Sequence, residues 1–234
     1  MPEQQAISVN FAKPMPVFPL ASLAMLPQQV VPLHIFEPRY RQMVEHVLDG
    51  AGQIALAVFD GSKWEQEYHG NPPLRRYVCI GQLVQHEKLP DGRYNILLHG
   101  ICRARITELL MPDEEHEYRR VRIEPVGVQS DEEELVPVRD RLESALSAGP
   151  LQQMAAADPV LEYLRNEDVP TSAVLELISF TMLTDAEVRY RLLAEPDATK
   201  RARLVERELS DISSLIKRAA GQHPERWPKG CSWN

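Results

Sequence analysis

Gly50-Ala51-Gly52-Gln53-Ile54-Ala55 has the G-x-G-x-x-A form of a dinucleotide-binding turn, in which a helix start receives a pyrophosphate. That chemistry needs a strand before the glycines and a helix after them. Here a helical period comes first and an apolar run follows, so the order is reversed and nucleotide binding is not expected. His34 and Glu37 form H-x-x-E, the start of a metal-ligand set. They straddle a strand-to-helix junction and no third ligand is indicated, so we read His34 as a packed or solvent-facing side chain and Glu37 as a cap for the helix beginning at Pro38. The sequence contains no G-x-x-x-x-G-K-[ST] and no G-x-S-x-G. Cys79, Cys102 and Cys231 lie too far apart for a C-x-x-C motif and read as free thiols. Neither cofactor nor metal is expected.

Binding chemistry is better represented. Arg103 with Arg105, and Arg120 with Arg122, are i, i+2 pairs, so on strands each pair points to one face. On neighbouring strands they would make a basic stripe for an anionic ligand or RNA. The competing reading is a solvated face paired with Glu108, Glu115 and Glu117, and the acidic total favours it: 34 acidic against 26 basic residues leave a net charge of −8. Trp64 and Tyr68 are large aromatics within a polar, glycine- and proline-bearing loop from Asp60 to Pro73. They are either folded back over a sheet edge or displayed as contacts for a polypeptide.

The elements that position these groups begin with Val17–Gly50. Before Pro38 the chain is apolar and β-branched in short runs broken by Pro19, Pro27 and Pro32, which predicts two short strands at an edge or seam. After Pro38, Tyr40, Met43, Val44, Val47 and Leu48 make one helical stripe, with Gly50 expected to close the helix in the left-handed conformation. Gln53–Phe59 is an uninterrupted apolar run that predicts a strand buried on both faces. Leu89-Pro90-Asp91-Gly92 between apolar runs predicts a hairpin. Strands over 101–110 and 117–128 then complete six or seven, enough for a barrel or sandwich.

Phe18-Pro19-Leu20, a proline-bearing turn, and then Pro32-Leu33-His34-Ile35-Phe36-Glu37-Pro38-Arg39-Tyr40 resemble the opening of the Lon protease N-terminal, substrate-binding domain. Ile80 to Ile106, with its hairpin around Asp91-Gly92 and its G-x-x-R strand, is similar to that family's second block. The resemblance implies an α+β fold: a PUA-like β pseudobarrel with an inserted helix, followed by a C-terminal α-helical bundle. It also implies a role in holding polypeptides for degradation by other domains, and a protein without the ATPase and Ser-Lys peptidase domains of Lon proteases, hence without enzymatic activity, is expected.

A composition change near Ser130 predicts a boundary, giving a barrel subdomain over 1–128, a helical subdomain over 129–218 and a tail over 219–234 that carries Trp227 and Trp233. Ser130 and Glu133 have capping-box spacing, but Pro137 favours a helix start near Val136. Residues 1–15 read as a loose arm. With no leader-like start and no apolar run of about eighteen residues, a cytoplasmic protein without a membrane span is expected. Three function classes follow: a non-catalytic polypeptide-binding module, adaptor or regulator in proteolysis, whose partners are unfolded or extended chains and a protease; an RNA-binding PUA-like protein; and a hydrolase of unrecognised type. The first is preferred, and nucleic acid is disfavoured by charge.

Overall fold

The computed structural model describes residues 7–61, 64–66, 68, 71–127 and 132–221. Among them the chain forms β1 (Met15–Leu20), β2 (Val30–Ile35), α1 (Pro38–Leu48), β3 (Gln53–Val58), β4 (Tyr77–Lys88), β5 (Tyr94–Leu110) and β6 (Arg120–Pro125). Helices α2 (Glu132–Ser147), α3 (Ala157–Arg165), α4 (Thr171–Thr181), α5 (Ala186–Ala194) and α6 (Ala198–Gly221) follow, with a 3-10 turn at Pro150–Gln153. The fold is α+β, with one six-stranded sheet.

The strands run in the order β2-β5-β4-β3-β1-β6, and β6 pairs again with β5. Five strands thus close on themselves, because Met15 and Pro16 of β1 reach Val121 and Arg120, while Ala104–Leu110 of β5 take the other edge of β6. Only β1 and β3 run parallel. Inside the ring sit Met15, Val17, Ala55, Ala57, Val78, Ile80, Ala104, Val121 and Ile123. The alternation explains β3: Ala55 and Ala57 fill the narrow interior while Ile54, Leu56 and Val58 are buried on the opposite face, so all six positions are covered. Val9 and Phe11 pack against the same interior, and the Gln53 side-chain amide donates to the Ser8 carbonyl at 2.9 Å. The described part of the expected loose arm, from residue 7, is therefore held.

The stripe of α1 is as the spacing predicts, with Tyr40, Met43, Val44 and Val47 buried, and Tyr40 meets Phe18 edge-on at 4.7 Å. Its end differs. Gly50 does not take a left-handed conformation; Gly52 does, at φ 71°, and the amides of both donate to the Val47 carbonyl. The hairpin forms around Gly92 at φ 82°, with the Leu89 amide donating to the Arg93 carbonyl at 2.8 Å. β5 is one strand of 17 residues, where the sequence suggested a break between residues 98 and 101.

Contacts group residues 1–129 with 184–197, and 130–183 with 198–234. The sequence placed a single break near 128, but α5 belongs with the sheet. The Tyr190 hydroxyl accepts from the Tyr77 amide at 2.9 Å, and Arg75 lies over the Tyr190 ring while gripping Glu187 at 2.7 and 2.8 Å. These partners are more than a hundred residues away in sequence, which is why local patterning does not reveal them. Asp185 caps α5, accepting from the Val188 amide at 2.8 Å.

In the second unit, Leu135, Val138, Leu142 and Leu146 of α2 are buried, as are Val160, Leu161 and Leu164 of α3. Val174, Leu175 and Ile178 of α4 and Ala202, Val205 and Leu209 of α6 complete the apolar set. α2 starts at or before Glu132 and carries Pro137 inside it, so the later start expected near Val136 does not hold. Pro137 is exposed and early in the helix, so the loss is one hydrogen bond to the Glu133 carbonyl, which water can reach. Ser130 of the capping box lies outside the described residues, as do Trp227, Cys231 and Trp233. No described helix is long and apolar enough to cross a membrane.

Candidate functional site

Among the described residues β2 pairs with β5 alone and forms one end of the sheet order. Its register sets Val30 opposite His99, Pro32 opposite Leu97 and His34 opposite Asn95, and β4 continues the rows with Gln85 beside Leu97 and Glu87 beside Asn95. One face of this three-stranded extension packs inward through Val31, Ile35, Tyr94, Ile96 and Leu98. The other carries a groove of about 350 Å³ lined by Pro32, His34, Gln85, Asn95 and Leu97.

Around the groove stand large apolar side chains that the core does not use: Val30 is 51% exposed, Val84 in the β4 bulge 53%, and Phe36 just beyond β2 60%. Pro32 is tolerated there because an edge strand leaves one side of its backbone unpaired. His34 is hydrogen-bonded through both ring nitrogens. Its Nδ1 donates to Asn95 Oδ1 at 2.8 Å, its Nε2 accepts from Arg93 at 3.2 Å, and its ring stacks toward Phe36 at 6.3 Å. The apolar outer face was missed in the sequence reading. Its signal was β2 itself, apolar on both alternating sets although it stands at an edge.

A second cluster gathers the predicted aromatics. Trp64 stacks flat on Phe59 at 5.1 Å, and Tyr68 meets both rings edge-on. Both side chains are half-buried. Glu37 occupies the N-cap position of α1, but its carboxylate caps nothing. It is drawn instead to Arg39 at 2.9 Å and accepts from the Tyr68 hydroxyl, a charged partner and a donor outcompeting the exposed helix amides. Arg39 lies over the Tyr40 ring at 4.6 Å and the Tyr68 ring at 5.1 Å. Burial pushes the Tyr40 hydroxyl up to about 12, so it stays protonated. The nearby Arg119 donates to the Pro72 carbonyl at 2.7 Å, which fixes the end of the loop.

The four arginines do not form a stripe. Arg103 is buried at 7% exposure and donates to the Leu192 carbonyl at the end of α5. Arg105 pairs with Glu124 at 2.7 Å, Arg120 with Asp113, and Arg122 with Glu108 at 3.1 Å. Three of the four thus meet carboxylates, Glu124, Asp113 and Glu108, and Arg103 meets a backbone carbonyl. Cys79 is buried and Cys102 half-buried, both as free thiols, and burial raises the Cys102 pKa, so neither is placed as a nucleophile.

A family model described as the ATP-dependent protease La (LON) substrate-binding domain matches residues 14–211. Among relatives, Lon protease 1 of Syntrophobacter fumaroxidans is 25% identical over 216 residues, covering 92% of this chain and 25% of that protein. Lon protease of Escherichia coli K12 is 26% identical over 121 residues, or 52% of this chain and 15% of its own. The chain thus spans about a quarter of the length of the curated relatives it matches. Among solved structures, the N-terminal domain of the Mycobacterium avium complex Lon protease superposes with a TM-score of 0.66 at 18% identity, covering 85% of this chain and 99% of that one. A Lon N-terminal domain protein from Xanthomonas campestris gives 0.57 at 19% identity, covering 85% and 98%.

Proposed function

We propose, from the premise that this chain belongs to the Lon substrate-binding domain family, that it is a non-catalytic module holding unfolded or extended polypeptide on the outer face of β2, β5 and β4. The observation that supports this reading is the exposed apolar set Val30, Phe36 and Val84 around the groove. Exposed aliphatic and aromatic area of this kind binds by side-chain burial, which tolerates many sequences, and the polar rim of His34, Gln85, Glu87 and Asn95 can orient a bound main chain. Trp64 and Tyr68 offer a second apolar contact, smaller because their rings already pack on Phe59. In this reading the closed strands are a PUA-like pseudobarrel, the helices of the second unit form a bundle, and the protein serves a protease in the cytoplasm as adaptor or regulator. Nucleic acid is the weaker reading, because three of the four candidate arginines face carboxylates and the fourth is buried.

The test is fluorescence anisotropy with a labelled, permanently unfolded polypeptide. Binding at about 1–10 μM is expected, roughly −7 to −8 kcal/mol and weakly dependent on salt. Replacing Phe36 and Val84 together by Ser should weaken it about tenfold or more at unchanged Tm, because both side chains are already in water. Trp64→Ala should lower Tm as well as affinity. No binding to the polypeptide, combined with salt-sensitive binding to RNA, would overturn the proposal.

A further inference from the structure

A separate cavity of about 440 Å³ lies between the arm at 10–16, the end of α1 and the start of β6. Lys13, His46, His116 and Arg120 line it and no aspartate or glutamate does, in a chain of 34 acidic residues. Its basic groups come from three separate segments of one compact unit, so they are brought together by the fold and not by a run in the sequence. His46 sits in the last turn of α1, where the helix dipole favours a cation.

Both imidazoles are fixed through one nitrogen. The Tyr118 hydroxyl lies 2.9 Å from His46 Nδ1 and is hydrogen-bonded to it. His116 Nδ1 donates to Asp113 at 3.0 Å, and the same carboxylate binds Arg120 from outside the cavity lining. Neither Nε2 has a partner among the described residues. The two rings stand 5.5 Å apart at 81°, each edge-on to Tyr118. The opposite wall is apolar, from Pro14, Met15 and Val47.

We propose that this cavity binds the phosphate group of a small phosphorylated molecule, with the body of the ligand against the apolar wall. Donors and cations arriving from several directions suit a tetrahedral group with several acceptor oxygens, whereas a planar carboxylate is matched best by a single in-plane fork. The cavity is several times larger than inorganic phosphate, which leaves room for an organic body. The site lies apart from the β2 outer face and does not depend on the polypeptide reading.

The experiment follows the histidine side-chain resonances of the full chain by NMR during titration with inorganic phosphate, phenyl phosphate and benzoate. Phenyl phosphate should shift His46 and His116 saturably and more tightly than inorganic phosphate, with benzoate weaker than either. Lys13→Ala, on an exposed residue of the arm, should weaken phenyl phosphate about tenfold, the loss of one charge-assisted contact. His116→Gln should weaken it as well. Benzoate binding more tightly than phenyl phosphate, no saturable shift with any probe, or phosphate affinity unchanged in both variants would overturn the proposal.

Discussion

Gly100 shows how a single side chain sets the geometry around the candidate surface. Its amide donates to the Gln29 carbonyl and its carbonyl accepts from the Gln28 amide, both at 2.8 Å, so the turn before β2 is stitched onto the middle of β5. A Cβ there would fall inside van der Waals contact of the Leu26 carbonyl oxygen, a backbone atom that cannot move alone. At Gly81 the crowding atoms are instead Leu98 Cγ and Cδ2 and Met25 Cε, buried side-chain atoms that give way more readily than backbone. Gly100→Ala should therefore cost about 1–3 kcal/mol in urea unfolding, and Gly81→Ala less. Equal stability of Gly100→Ala and the unmodified protein would mean that the turn is not held against β5. The glycine was legible in the sequence only as the start of a G-x-x-R strand. Its real role depends on residues 26–29 approaching from another part of the chain. Gly92 was read correctly because a hairpin turn is local: the need for positive φ and the residue that meets it are adjacent.

Among the elements, the junction between α3 and α4 is organised by Arg139 of α2. Its guanidinium donates to the carbonyls of Leu164 at 2.7 Å, Tyr163 at 3.0 Å, Asn166 at 2.6 Å and Val169 at 2.8 Å, and to the Thr171 hydroxyl at 3.2 Å. Tyr163 and Leu164 belong to the last turn of α3, where a cation meets the negative pole of the helix, and Asn166 and Val169 belong to the loop that leads to α4. Arg139→Met removes every donor and should destabilise the helical unit by about 2 kcal/mol or more. Arg139→Lys should recover little, because one ammonium has three donors and no planar fork. A lysine variant that unfolds at the same urea concentration as the unmodified protein would refute this account. The helices themselves were readable from their apolar spacing, whereas this clamp was not, since the arginine reaches 24 to 32 residues along the chain. The outer face of β2 was obscured for a related reason: sequence patterning marks apolar residues as core, and only the sheet order reveals that one set has nothing over it.

For the molecule as a whole, surface charge sets a dependence on acid. Hydrogen bonds from Lys88, Arg93, His116 and Arg75 hold the carboxyls of Glu45, Asp91, Asp113 and Glu187, respectively, below their usual range in the folded state. An unfolded chain binds protons at these groups more readily than the folded one does. Their stabilisation is thus complete above the unfolded carboxylate pKa values and is lost as pH falls through them toward the depressed folded values. Tm should stay nearly level from about pH 8 to about pH 6 and fall below about pH 5. All four groups are exposed or nearly so, which makes each contribution small and sensitive to salt. About 1 M salt, where the Debye length is ~3 Å, should shrink the acid-induced fall. Converting Glu45 and Glu187 to Gln and Asp91 and Asp113 to Asn should lower Tm at neutral pH and flatten the acid limb, since amides bind no protons there. A combined variant with the unmodified protein's full acid limb would place the responsible carboxylates elsewhere. The paired arginines outside the cavity carry the same implication for function: charges already neutralised at Arg105 and Arg122 contribute little to a polyanion, so affinity for polypeptide has to come from apolar area, and that affinity should persist in the salt that weakens the acid limb.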